Sequence, residues 1–224
     1  MFPLRDSHNP KTTPVITYLI IALNFFMFLL ELVFSDRLLE EYALFPSKID
    51  FMDIDTLRPF ITSQFLHAGF LHLVSNMWFL KIFGDNVEEK IGHISFLATY
   101  VFAGVVGSFA QYLFLPHSTI PMLGASAAVA GTLGAYFVFF PRHMIDTLIP
   151  LGLFVTTVKI PASVVLLYWF VIQLFSGFGS IVAAQVGGIA WWAHVGGFLS
   201  GYIIAKLFQR NSKKGAEGGT VLDL

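Results

Sequence analysis

MLGASAAVAGTLGAY, residues 122–136, places a single serine, Ser126, among glycines and alanines at the head of a strongly apolar run. Two further apolar stretches carry isolated polar groups. IAWWAHVGGFLSGY, residues 189–202, holds His194, and FLHAGFLHLVSNMWFL, residues 65–80, holds His67, His72 and Asn76. Polar and ionisable side chains at membrane depth are costly, so by default they point to function. A serine, a histidine and a potential oxyanion donor on three separate apolar segments suggest hydrolytic chemistry inside a bilayer.

Composition supports that setting. Hydrophobic residues are 56% of the 224 and charged residues only 12%, whereas a soluble domain carries about 25% charged residues. A net charge of −1 gives no case for nucleic acid as a partner. With no cysteine in the chain, disulfides, thiolate catalysis and cysteine-based metal sites are excluded.

Outward from Ser126 the chain divides into six apolar spans, residues 15–33, 70–83, 94–115, 124–140, 161–175 and 188–208. The expected fold is therefore all-α, a polytopic membrane helical bundle with six transmembrane spans. The second span is short, since fourteen helical residues cover only about 21 Å of a hydrocarbon core of roughly 30 Å. The fifth is short as well. Residues 145–158 are broken by Pro150 and Gly152 and bracketed by Arg142, Asp146 and Lys159, so they read as a hairpin at the interface rather than a seventh span. The expected organisation is a segment 1–14, a six-span domain 15–208 and a polar tail 209–224, disordered from Asn211 onward. The start of the chain lacks a cleavable signal pattern.

Positive charge sets orientation. One side of a six-span layout holds Arg5, Lys11, Lys81, Lys90, Arg142, Lys159, Lys206, Arg210, Lys213 and Lys214, the other only Arg37, Lys48 and Arg58. Both termini are thus expected in the cytoplasm of a cell-membrane protein, with residues 34–69 as an acidic external loop. Even-numbered spans then start at the external face. His72 and Asn76, Ser126, and His194 all lie early in even spans, at one common depth, where they can form one site.

Helical spacing adds detail. His72 and Asn76 are i and i+4 and share a face, while His67 precedes the helix and lies off it. Ala127, Gly131 and Ala135 form a small-residue stripe on the fourth span, and Gly197 with Gly201 forms GxxxG on the sixth. Such residues let helix backbones approach closely in lipid, which would bring His194 within reach of Ser126. An adjacent base makes a serine hydroxyl nucleophilic, and preorganised donors stabilise the tetrahedral oxyanion, each worth about 2.7–4 kcal/mol.

In order along the chain, HAGFLHLVSN, FGDNVEEKIG, GASA and AHVGGFLSG resemble the rhomboid family of intramembrane serine proteases, and the resemblance covers most of the chain. It implies a Ser126 nucleophile in the motif that begins at Gly124, a His194 general base, and an oxyanion site of His72, Asn76 and backbone N–H groups. It also implies a structural role for Glu88, an external-loop arginine in Arg58, and no cofactor or metal. The substrates implied are transmembrane segments of other membrane proteins, cut near the external face. Two positions depart from the pattern. Ala127 stands where glycine is usual, which bears on the contact between spans four and six. Ala130 stands where some relatives carry an aromatic, which bears on how the His194 ring is held.

Each residue alone has a plainer reading. Ser126 alone is more often a packing residue, and Asn76 is as readily interhelical glue. His67 near the interface is as readily structural, and Trp191 and Trp192 read as interface anchors. His8, His93, His117 and His143 fall in termini or loops and need no role. Two other functions compete with proteolysis: a catalytically silent relative that binds membrane helices, and a histidine-liganded metal site or small transporter. Retention of Ser126 with His194 argues against the first. Against the second stands the absence of a carboxylate deep in any span, Glu31 lying near the external end of span one. Labelling by a serine-reactive probe, insensitive to chelators, would separate them. A segment around residues 177–188 is the expected lid over a water-filled cavity.

Overall fold

The computed structural model describes residues 1–8, 10–152, 154–182 and 188–218. Its frame is six long helices: α1 (Val15–Tyr42), α3 (Phe70–Ile91), α4 (His93–Phe114), α5 (Ser126–Phe139), α6 (Ala162–Val182) and α7 (Trp191–Gly218). A one-turn helix, α2 (Pro59–Thr62), lies in the loop between α1 and α3. α1, α4 and Ala162–Ile181 of α6 are long and apolar enough to cross a membrane. Leu19, Leu23, Phe26, Leu29 and Leu32 on α1, and Val164, Leu167, Val171 and Phe175 on α6, are exposed. Apolar faces this extensive are what lipid contact requires, and a water-soluble surface rarely carries them. The chain is a helical membrane-protein bundle.

α5 is the axis of the bundle. Its fourteen residues are mostly Ala, Gly and Val, and every residue from Ala127 to Tyr136 is buried. α7 lies against it backbone to backbone. A methyl group added at Gly197 would fall on the Ala127 carbonyl oxygen, one at Gly201 on the Gly131 carbonyl, and one at Gly134 on the Phe198 carbonyl. The stripe and the GxxxG expected to meet do meet.

Several boundaries differ from the reading of the sequence. α3 runs to Ile91 instead of stopping at residue 83, so its 22 residues reach about 33 Å. The polar run after Gly84 looks like loop composition, yet Glu88 is used inside the bundle. Its carboxylate accepts N–H bonds from Ile16 and Thr17, each at 2.8 Å, and the Thr17 hydroxyl at 2.7 Å. These are first-turn donors of α1 that its own helix cannot satisfy. His93 Nδ1 donates to the same carboxylate at 2.5 Å. α6 is also longer than expected, and α7 continues through Gly218, so residues 211–218 are helical where disorder was expected, and residues 219–224 of the tail lie outside the described residues. α1 has a non-helical residue at Phe34, one residue past the expected end of span one, and then continues to Tyr42.

The interfacial hairpin is present as β2 (Met144–Leu151) and β3 (Phe154–Pro161), turning at Gly152 with φ 61°. The chain's first residues add a strand the sequence did not reveal. β1 (Phe2–Asp6) pairs antiparallel with β2, making a sheet in the order β1-β2-β3 at the end of the bundle away from Ser126. There Asp6 Oδ2 accepts from Asn86 Nδ2 at 2.6 Å and from the Tyr136 hydroxyl at 2.8 Å.

Candidate active site

Ser126 is the first residue of α5, preceded by Gly124 at φ 115°. Only glycine adopts that backbone without strain, and a side chain there would also strike the His72 ring, 2.5 Å from the position of its Cβ. Main-chain bonds hold this approach to the helix: Leu44 and Met122 exchange N–H···O bonds at 3.0 and 2.8 Å, and Gly124 N–H donates to the Ser63 carbonyl at 2.9 Å. The first backbone bond into α5 is Val129 N–H to the Ala125 carbonyl. Among the described residues no acceptor outside the helix meets the N–H groups of Ser126, Ala127 and Ala128, which form its electropositive N-terminus.

Across from Ser126, α7 presents His194. Its Nε2 lies 2.8 Å from Ser126 Oγ, and its Nδ1 lies 2.8 Å from Oε1 of Gln173 on α6. The imidazole sits among aromatic rings, its centroid 5.9 Å from Trp169 and 6.2 Å from Trp191. These hold the ring from α6 and α7 in place of an aromatic at Ala130. α7 itself is anchored at its start by Gln111 of α4, whose Oε1 accepts the N–H groups of Trp192 and Ala193 at 3.0 and 3.3 Å. Neither glutamine stood out in the sequence. Each is the single amide side chain on its own helix, with its partner on another, so no spacing within one segment exposes it.

The methyl of Ala127 is accommodated on α4, not at the α5–α7 contact. A Cβ built at Gly107 would approach it to 2.8 Å, so a glycine on α4 leaves the room that Ala127 takes. The α5–α7 seam stays as close as backbone atoms allow.

His72, Asn76, Ser126, His194 and Trp169 line one cavity of about 940 Å³. Asn76 is buried, and its Nδ2 has no hydrogen-bond partner among the described residues. A buried amide donor beside a cavity is suited to meeting a charge that forms there. The other candidates lie elsewhere. His67 is buried beneath His72, the rings 5.2 Å apart, with both ring nitrogens unpartnered among the described residues. Its backbone N–H donates to both carboxylate oxygens of Glu31 at 3.0 Å. Arg58 is exposed in the loop between α1 and α3 and pairs with Asp55. Glu88 belongs to the opposite end of the bundle, and Gly197 and Gly201 to the α5–α7 seam. Trp192 is not an exposed anchor: it is buried, stacked on Phe114 at 3.7 Å. Of the expected lid, α6 covers residues 177–182, and residues 183–187 lie outside the described part of the chain.

The family model described as Rhomboid domain matches residues 55–211. The Bacillus subtilis rhomboid protease GluP is 32% identical over 196 residues, covering 86% of this chain and 34% of that protein. Arabidopsis thaliana RHOMBOID-like protein 6, mitochondrial, is 31% identical over 160 residues, 70% of this chain and 45% of its own. Rhomboid-like protein 11, chloroplastic, from the same plant is 32% identical over 127 residues, or 57% and 43% of the two chains. The match thus spans less than half the length of each of these relatives. With more than half of its own length matched, the chain belongs to the rhomboid family of integral membrane proteins.

Proposed function

We propose that this chain is an intramembrane serine endopeptidase that cleaves transmembrane segments of other membrane proteins with a Ser126–His194 dyad. The observation that carries the reading is the 2.8 Å contact of His194 Nε2 with Ser126 Oγ beside the cavity that also holds Asn76. His194 Nε2 takes the hydroxyl proton as Ser126 Oγ attacks the scissile carbonyl. The oxyanion that forms accepts hydrogen bonds from Asn76, His72 and the N–H groups at the start of α5. The imidazolium returns its proton to the leaving amine, and an acyl-enzyme remains on Ser126. Water, deprotonated by the same Nε2, then releases the carboxylate product and restores the serine.

In this reading all six long helices cross the bilayer, both termini are cytoplasmic, and the cavity faces outward. The ten-to-three distribution of lysine and arginine supports that orientation. Residues 15–208 form the protease unit, with segments 1–14 and 209–224 on the cytoplasmic side. Gly197 and Gly201 act by setting the α5–α7 distance, and Glu88 by holding the start of α1. The test is to incubate the purified protein with a panel of labelled transmembrane segments and map the cuts by mass spectrometry. Cuts within the apolar segments, lost in Ser126→Ala, are expected. Cleavage that persists in Ser126→Ala would end the proposal, as would a tag at Leu224 found on the external side for the topology.

A further inference from the structure

Gln173 is the one polar residue in the stretch VIQLF of α6, and it is buried, only 4% exposed. Its amide is not free to face either way. Nε2 donates to the Trp169 carbonyl one turn earlier at 3.2 Å, which leaves Oε1 toward His194. An amide oxygen only accepts, so the hydrogen of the 2.8 Å bond must sit on His194 Nδ1. A neutral imidazole carries one N–H. With Nδ1 protonated, Nε2 bears the lone pair, and it is Nε2 that stands 2.8 Å from the Ser126 hydroxyl. One continuous chain of hydrogen bonds thus runs from the Trp169 carbonyl through Gln173 and His194 to Ser126. Reversing the amide would set its oxygen against the Trp169 carbonyl and offer Nδ1 a donor. The imidazole proton would then move to Nε2, where the base is needed.

We propose that Gln173 is a positioning residue for the reaction: it holds His194 in the Nδ1–H tautomer, so that the Nε2 lone pair faces Ser126. The proposal rests on the protease reading above and supplies from α6 the orienting group that a bare Ser–His pair lacks. During attack the Ser126 proton moves to Nε2, and the Nδ1–H bond to Gln173 stays in place and is strengthened by the positive charge on the ring. Gln173 keeps its protons throughout. A residue that merely glued α6 to α7 would affect stability and leave turnover per folded molecule unchanged.

The test uses the purified full chain in detergent or lipid. Gln173→Met keeps length and helix propensity but removes the acceptor; Gln173→Glu keeps an oxygen there. Gln173→Met is expected to lower kcat about 10²-fold, within the range a general base supplies, with KM unchanged and slower fluorophosphonate labelling of Ser126. Gln173→Glu should restore most of that loss. Nitrogen NMR of histidine-labelled protein should find His194 protonated at Nδ1 in the wild type and shifted toward Nε2–H in Gln173→Met. Wild-type kcat in Gln173→Met, or Gln173→Glu as slow as Gln173→Met, overturns the proposal. If Gln173→Met does not fold, the wild-type spectrum decides alone, and an Nε2–H tautomer there overturns it. Ser126→Ala separates the two levels: cleavage that survives it rejects the protease reading, whereas its loss beside an unchanged Gln173→Met rejects only the role of Gln173.

Discussion

The two ends of the bundle use their principal buried polar groups differently. At the Glu88 end both carboxylate oxygens are occupied, by two backbone N–H groups, a hydroxyl and an imidazole, and Asp6 is likewise bonded to Asn86 and Tyr136. At the Ser126 end the amide of Asn76 is left without a partner among the described residues, and the cavity takes the place of packed side chains. An unmet buried donor costs about 1–3 kcal/mol. Asn86 Oδ1 at the first end also lacks a partner among the described residues, so the contrast lies in the functional groups themselves: Glu88 and Asp6 are bonded to other elements, whereas Asn76 faces the cavity.

Substitutions can break this contrast. The largest effect is expected for Ser126→Ala, which should abolish cleavage and leave thermal unfolding unchanged, since alanine already neighbours it in α5. His194→Ala should match it, with no fluorophosphonate labelling of Ser126. Glu88→Ala should do the reverse and destabilise the fold by about 2–5 kcal/mol, because two buried first-turn donors of α1 lose their acceptor. Activity per folded molecule should survive, which thermal unfolding and active-site titration together can read. Asn76→Ala should lower turnover about 10²–10³-fold with little loss of stability. A large stability loss with unchanged turnover would instead place Asn76 with the anchoring groups and blur the contrast.

A smaller effect sharpens it through pH. Burial pushes the Asp6 carboxyl above its ordinary value of 3.8, against the hydrogen bond from Tyr136 and the nearby His143 and His8, which pull it down. A carboxyl raised on folding binds its proton more tightly in the native state. Its contribution is fully present below the unfolded value and is lost as pH rises through the folded one. Unfolding of the sheet end should therefore ease slightly with rising pH in that window, and Asp6→Asn should flatten the slope. An unfolding curve with the same pH slope in Asp6→Asn and wild type would remove Asp6 as its source.

What the sequence disclosed and what it hid follow from where each signal is stored. Six apolar runs, the i and i+4 pair His72 and Asn76, and the small-residue faces of α5 and α7 are periodicities within one segment, and these were legible. β1 was not, because FPLRD has no alternation and becomes a strand only by adding to the edge of β2. The last two turns of α3 were missed because polar composition at a span's end looks like a loop until its partner, the start of α1, is known. Gln111, Gln173 and the stacking of Trp192 on Phe114 likewise need the other helix before they mean anything.

The pairing of β1 with β2 also sets a timetable. Phe2 finds its partner at Leu148, across nearly the whole of four long helices. At about 5–20 residues per second of synthesis, β1 waits roughly 7–30 seconds before its template exists. During that interval it is an unpaired strand with Phe2 uncovered, open to any other edge it meets. Closing the sheet is therefore among the late acts of biogenesis, after α1, α3, α4 and α5 have emerged. A substitution that weakens β1 would act on this later pairing step although β1 itself is made well before it.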